Sequence, residues 1–269
     1  MKVKKNVILT ALASLVTSAA LLSGCAEGNV PGVIKQVNEQ SVPMDGITNL
    51  KIDFGVKNIT LLSTEGDTLG IRDYMAKDND DYYSAVSVSE GMLTVSATRQ
   101  NIQTSKVEIT IPKSYKGAFS MSLASGEVYA ETDLMDYKNI SLALQNGYMH
   151  MRKMEAQTIS LEVANGTIKA ESTKGNSSFS VQSGTIVVLM DEFADDLTLN
   201  AASGTLNLTL PHDAAFYLDA DAGRGTVKVT GGYEKVHVSG ETVSKTIGMS
   251  PEHTITASAE SGTVNIFMK

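Results

Sequence analysis

The chain has 269 residues, is 42% hydrophobic and 6% aromatic, contains no Trp and carries a formal net charge of −8. That acidity argues against nucleic acid or anionic lipid as the main partner. Its one cysteine, Cys25, excludes an intramolecular disulfide, so stability must come from core burial.

Residues 1–24 read as an export signal. Lys2, Lys4 and Lys5 form a positive start, and Val7 to Leu22 is apolar and uncharged. Such a stretch ahead of small residues is a signal peptide rather than a spanning helix. It ends in Leu22-Ser23-Gly24-Cys25, which resembles the bacterial lipobox. The resemblance implies cleavage before Cys25 and lipid on its thiol. The mature chain is then held to a membrane surface outside the cytoplasm, an anchor that two or more acyl chains make stable. Residues 25–44 are expected to be the lipidated Cys and a tether, short and polar, with Gly28, Pro31 and Gly32.

Residues 45–111 predict a β-rich part. Candidate strands are Leu50–Phe54, Asn58–Leu62, Leu69–Met75, Tyr83–Ser89, Leu93–Ala97 and Lys106–Ile111. Glu90-Gly91 suits a tight turn between two of them. No stretch combines a 3.6-residue period with caps at both ends, so helix content should be low.

Residues 112–269 carry a repeat. A small or polar residue and a Gly are flanked by apolar alternation at Gly126, Gly147, Gly166, Gly184, Gly204, Gly225 and Gly262. Positions −5, −3, +2 and +4 from each Gly are apolar, as in Leu199, Ala201, Leu206 and Leu208 around Gly204. Alternation on both sides means two half-buried strands. The step from −3 to +2 is odd, so the phase must reset at the Gly. A two-residue hairpin turn would reset it, and so would a solenoid corner with Gly at positive φ. The local pattern leaves both open. The glycines are 21 (126 to 147), 19, 18, 20 and 21 residues apart, then 37 (225 to 262). Spacing near 20 residues favours stacked coils about 4.8 Å apart, each burying its apolar face on the next. The expected fold is an all-β solenoid. Thr at +1 in five repeats would form an outward ladder. Residues 231–251 read as a degenerate coil, and Ile266-Phe267-Met268-Lys269 as a last strand with no cap behind it. Such an end predicts end-to-end association or cover from another segment.

Leu-Thr-Leu-Pro-His-Asp-Ala-Ala-Phe-Tyr-Leu-Asp-Ala (208–220) and the Ser-Gly-Thr-Val-type turns resemble the bacterial putative-adhesin β-solenoid family. The resemblance covers 107–269 and, more weakly, 45–106. It implies a right-handed β-helix-like fold, an envelope location and no known enzyme activity. It carries over no catalytic residue.

Reactive constellations are sparse. His150, His212, His237 and His253 lack metal-ligand spacing, and no Gly-x-Ser-x-Gly elbow or phosphate loop occurs. Two acidic clusters, Asp78-Asn79-Asp80-Asp81 and Asp191-Glu192 with Asp195-Asp196, lack calcium-loop patterns and read as solvated loops. No cofactor or metal is expected. Tyr74, Tyr82 and Tyr83 form the densest aromatic group beside Asp78, Asp80 and Asp81, and this loop is the candidate recognition site. The chain therefore reads as a non-enzymatic, lipid-anchored envelope protein with an unknown protein or cell-wall partner. Alternatives are a β-helix polysaccharide lyase or hydrolase, by analogy of fold alone, and a structural element that self-associates through its ends.

Overall fold

The computed structural model describes residues 34–97, 105–232 and 235–269. The expected export signal, Cys25 and the first part of the expected tether lie outside them. The N-terminal part holds β1 (Lys35–Pro43), β2 (Asn49–Thr64), β3 (Thr68–Met75), β4 (Ser84–Ser89), β5 (Met92–Ala97) and β6 (Ser105–Pro112). The middle holds β7 (Ala118–Ala130), β8 (Leu134–Leu144), β9 (Tyr148–Val163), β10 (Thr167–Val181), β11 (Thr185–Leu189), β12 (Leu197–Ala201) and β13 (Thr205–Leu210). The remainder holds β14 (Phe216–Asp221), β15 (Thr226–Gly231), β16 (Val236–Ser239), β17 (Thr242–Ile247), β18 (His253–Ser258) and β19 (Thr263–Met268). Among the described residues the one helical element is a 3₁₀ turn at Asp80–Tyr82.

The alternation dictates the burial. In β13, Leu206, Leu208 and Leu210 are buried while Thr205, Asn207 and Thr209 are half-exposed. The segments immediately before and after each repeat Gly do not pair with each other as a hairpin. They pair in parallel with the same strands of the coils above and below: Ile168 aligns with Met149 on one side and Ile186 on the other. The repeat is thus a β-solenoid and not a stack of hairpins. A shorter third side closes the coils, where Leu134 and Thr173 flank Met154. The inward residues of all sides merge into one hydrophobic cluster running from Met44 to Met268.

At the repeat corner, φ is positive at Gly126 (130°) and Gly147 (110°) but not at the other five turn glycines. What those five require is space. A Cβ on Gly184 would stand 2.2 Å from the carbonyl oxygen of Gly166 in the layer beneath. The corners stack so closely that the Thr185 N–H donates to the Gly166 carbonyl at 2.9 Å. Alternation therefore resets by a tight backbone-on-backbone corner.

The layers do not follow chain order at either end. On the face that follows the glycines, parallel pairing runs β6, β2, β7, β9, β10, β11, β13, β19, β15. On the face before them it runs β5, β2, β7, β8, β9, β10, β12, β18, β14. The first coil in sequence, β2, lies beneath β7 and above β5 and β6. The last coil, β18–β19, is inserted between β12–β13 and β14–β15. Each end is then closed by strands of opposite direction. β3 and β4 pair antiparallel with β6 and β5, and β1 adds antiparallel to β3. At the other end β16 and β17 pair antiparallel with β15 and β14.

Three expectations change accordingly. Lys35–Pro43 is a strand of the cap rather than part of a tether, because Val42 packs against the core and its backbone pairs with β3. Within the stretch expected to be a degenerate coil, 231–251, β16 and β17 form the antiparallel cap, which explains why Val236 and Val238 sit in the opposite phase to the repeat. The final strand, β19, is interior, flanked by β13 and β15. Cover from another segment is the outcome seen. All six candidate strands of the N-terminal part are present; Leu50–Phe54 and Asn58–Leu62 are two arms of β2. Glu90 and Gly91, both at positive φ, turn β4 into β5.

Candidate functional site

The expected recognition loop is compact and internally bonded. Asn79 caps the 3₁₀ turn by accepting the Asp81 N–H. The Tyr83 hydroxyl donates to Asp78 at 2.7 Å, and that bond with the carboxylate's field raises its pKa to about 12. Asp80 and Asp81 are exposed, and Tyr82 is half-buried in the turn. Tyr74 lies apart from the loop on β3. Its hydroxyl donates to Glu108 at 2.7 Å, and Lys106 reaches both that carboxylate (2.8 Å) and the Tyr74 ring (5.6 Å to the centroid). Burial and the Glu108 carboxylate push the Tyr74 phenol up to about 12. The aromatic group is therefore split: Tyr83 ties the loop to the cap, and Tyr74 is engaged in an ion-paired strand face.

The second acidic cluster is distributed over separate partners. Lys153 meets Asp191 at 3.2 Å, and Lys174 stands between Glu155 (3.9 Å) and Glu192 (3.7 Å). Asp196 accepts the Thr254 N–H at 2.8 Å. These are half-exposed pairs of small individual stabilising effect. Among the described residues no three His, Cys, Asp or Glu side chains converge as a metal would need.

Stacking builds an aromatic patch that the linear order hides. On the post-glycine face the outward +1 column reads Glu127, Tyr148, Thr167, Thr185, Thr205, Thr263, Thr226 through the layers. The +3 column begins Tyr129, His150, Lys169. Tyr129 is 42% exposed. Its ring centroid lies 5.9 Å from Tyr148 and 6.5 Å from His150, and the latter two are 6.4 Å apart. Glu171, one coil on, meets His150 Nε2 at 3.1 Å and orients the imidazole. Arg152 pairs with Asp133 at 3.2 Å on the same edge. The result is a cluster of mutually tilted rings rimmed by hydrogen-bonding groups. Rings on parallel strands lose little freedom on contact, which suits them to recognition. Sequence reading missed it, although the signal was present: Tyr148 replaces the Thr that five other repeats hold at +1.

The turn glycines Gly126, Gly147, Gly166, Gly184, Gly204, Gly262 and Gly225 form one column in that spatial order, and their role is structural. Cys25 lies outside the described residues.

Comparison with known proteins agrees with this architecture. No curated protein matches. Solved structures to which the chain is similar include a putative cell adhesion protein from Clostridium sporogenes, 17% identical, with a TM-score of 0.44, 87% of this chain and 100% of that one covered. A putative adhesin from Bacteroides fragilis is 15% identical with a TM-score of 0.45 over 87% and 97% of the two chains. One from Parabacteroides distasonis is 13% identical with a TM-score of 0.40 over 87% and 97%. The family model called Toastrack DUF4097 matches twice, over residues 47–174 and 132–267, which together span most of the chain. The chain belongs to the Toastrack DUF4097 family.

Proposed function

We propose that this is a non-enzymatic, lipid-anchored protein of the cell envelope whose solenoid presents a contact surface to a protein or cell-wall partner. The observation that carries the reading is the Tyr129–Tyr148–His150 patch, whose rings meet on the post-glycine face with Tyr129 exposed. The lipobox-like Leu22-Ser23-Gly24-Cys25 supplies the location: lipid on Cys25 holds the base of the solenoid at a membrane. The acidic chain fits contact with neutral or basic polymer better than with nucleic acid. The adhesin names of the structural neighbours are consistent with a contact role.

Two measurements test this. Detergent-phase partition should retain the wild type and release Cys25→Ser to the aqueous phase. Cosedimentation with isolated cell envelope, stripped of its own copy of this protein, should fall about tenfold or more for Tyr129→Ala/Tyr148→Ala, as loss of paired aromatic anchors predicts. Equal cosedimentation of the two forms would refute the patch as the contact surface.

A further inference from the structure

The N-terminal cap holds a buried amine beside a buried carboxylate. In the first layer Lys57 occupies the place that Gly126 takes in the next, and its side chain turns inward to 5% exposure. Asp73 breaks the inward apolar series Leu69, Ile71, Met75 of β3, and its side chain is fully buried. Lys57 Nζ stands 3.9 Å from Asp73 Oδ1, longer than a hydrogen bond, and 5.8 Å from the Phe54 ring centroid.

The carboxylate is held asymmetrically. Oδ2 accepts from the Ser84 N–H and from Asn38 Nδ2, each at 3.0 Å. Oδ1, the oxygen facing the lysine, accepts from Ser84 Oγ at 2.7 Å. Two fixed donors on one oxygen are what an oxyanion needs. The other oxygen has a hydroxyl beside it that can pass a proton.

We propose that Lys57 and Asp73 are a self-modification site, which closes an amide cross-link between Nζ and Cγ. A proton first moves from the Lys57 ammonium to Asp73, giving a neutral amine and a carboxylic acid. The Nζ lone pair then attacks Cγ, and the developing charge falls on Oδ2 between Ser84 N–H and Asn38. Collapse breaks the Cγ–Oδ1 bond. Oδ1 leaves as water, taking the acid proton and one from Nζ relayed through Ser84 Oγ. One water is lost, no electrons change hands, and no co-reactant is needed.

Burial favours each stage. Desolvation lowers the Lys57 pKa, opposed in part by the Asp73 charge, so the reactive neutral amine is more accessible than in water. A buried ion pair keeps a desolvation cost that a neutral amide does not. For attack the nitrogen must come within about 3–3.5 Å of Cγ, the near-attack range. The product would tie β2 covalently to β3, the strand that carries the cap.

Tryptic mapping of the purified full-length chain reads the outcome directly. The cross-link predicts a branched peptide joining residues 52–72 to 73–77, uncleaved after Lys57 and one water lighter than its two parts. Lys57→Arg should release 73–77 as a free peptide. Cleavage after Lys57 with free 73–77 in the wild type overturns the proposal. So does a branch from Lys57 to peptide 36–51 with loss of ammonia, which would assign the bond to Asn38. The wild-type map decides the matter even where the variant fails to fold.

Discussion

Gly262 lies directly on Gly204, although Gly225 separates them in the chain. The Thr263 N–H donates to the Gly204 carbonyl at 2.9 Å, and the Thr226 N–H donates to the Gly262 carbonyl at 3.0 Å. The chain thus skips a layer, builds the next coil and its cap, and returns to fill the gap. A comparable displacement occurs at the other end, where β7 lies on β2 and β6 lies beneath it. The first and last coils are both penultimate layers, so no parallel strand edge of either is left open.

Deleting residues 253–269 should therefore do more than trim an end. It removes the layer that joins β14–β15 to β12–β13. Limited proteolysis of the truncated chain should cut within 216–247, while the coils built from 118–210 stay protected. Continued protection of 216–247 would show that these strands close onto β12 and β13 unaided.

The corner column predicts a sharp contrast between glycines. Gly184→Ala pushes a methyl carbon to 2.2 Å from the Gly166 carbonyl oxygen. Forced overpacking of this kind costs about 1–3 kcal/mol. At Gly66 the nearest atom to a new Cβ is 3.6 Å away, and φ is not positive, so Gly66→Ala should be close to neutral. Urea unfolding midpoints compare the two; equal midpoints would contradict backbone-on-backbone stacking.

Alkaline pH should erode stability through buried phenols. Burial pushes Tyr115 up to about 12 from 10.0, while its hydroxyl donates to the Ala118 carbonyl at 2.6 Å. Burial raises Tyr137 as well. A folded pKa above the unfolded one gives stability that is complete below pH 10 and is lost as pH rises toward 12. Phenolate absorbance should show a late-titrating class. Tyr115→Phe should flatten the fall in stability between those values, and an unchanged slope would exclude Tyr115 as its source.

Capping predicts the state in solution. Both ends finish in antiparallel strands, and the outer ones carry Pro43 in β1 and Lys245 in β17, features that discourage edge-to-edge pairing. Light scattering of the mature Cys25→Ser chain should give a monomer. A dimer or longer array would restore association through the ends.

Much of the fold was legible because its signal is local. Alternation around Gly204 assigns Leu206 and Leu208 inward wherever that coil sits. The candidate site was not legible in the same way. Tyr129 and Tyr148 stand 19 residues apart, and the Tyr74–Tyr83 cluster looked denser. Proximity along the chain pointed to the Tyr74–Tyr83 group, where Tyr83 spends its hydroxyl on Asp78 within the loop, whereas Tyr129 and Tyr148 meet only through stacking.

By itself the sequence determined strands, corners, the roughly 20-residue coil and the solenoid class, because period-two burial and a Gly corner act within one repeat. Only the tertiary structure decided which coil rests on which. The repeats at Gly166, Gly184, Gly204, Gly225 and Gly262 all offer a Thr N–H and a Gly carbonyl, so the ladder bonds there would be equally good in chain order. The antiparallel caps break that degeneracy by packing on β15 and β14, leaving β18–β19 to fill the gap within the stack. The aromatic patch and the buried Lys57–Asp73 pair follow from that layering, for both join residues that only stacking brings together.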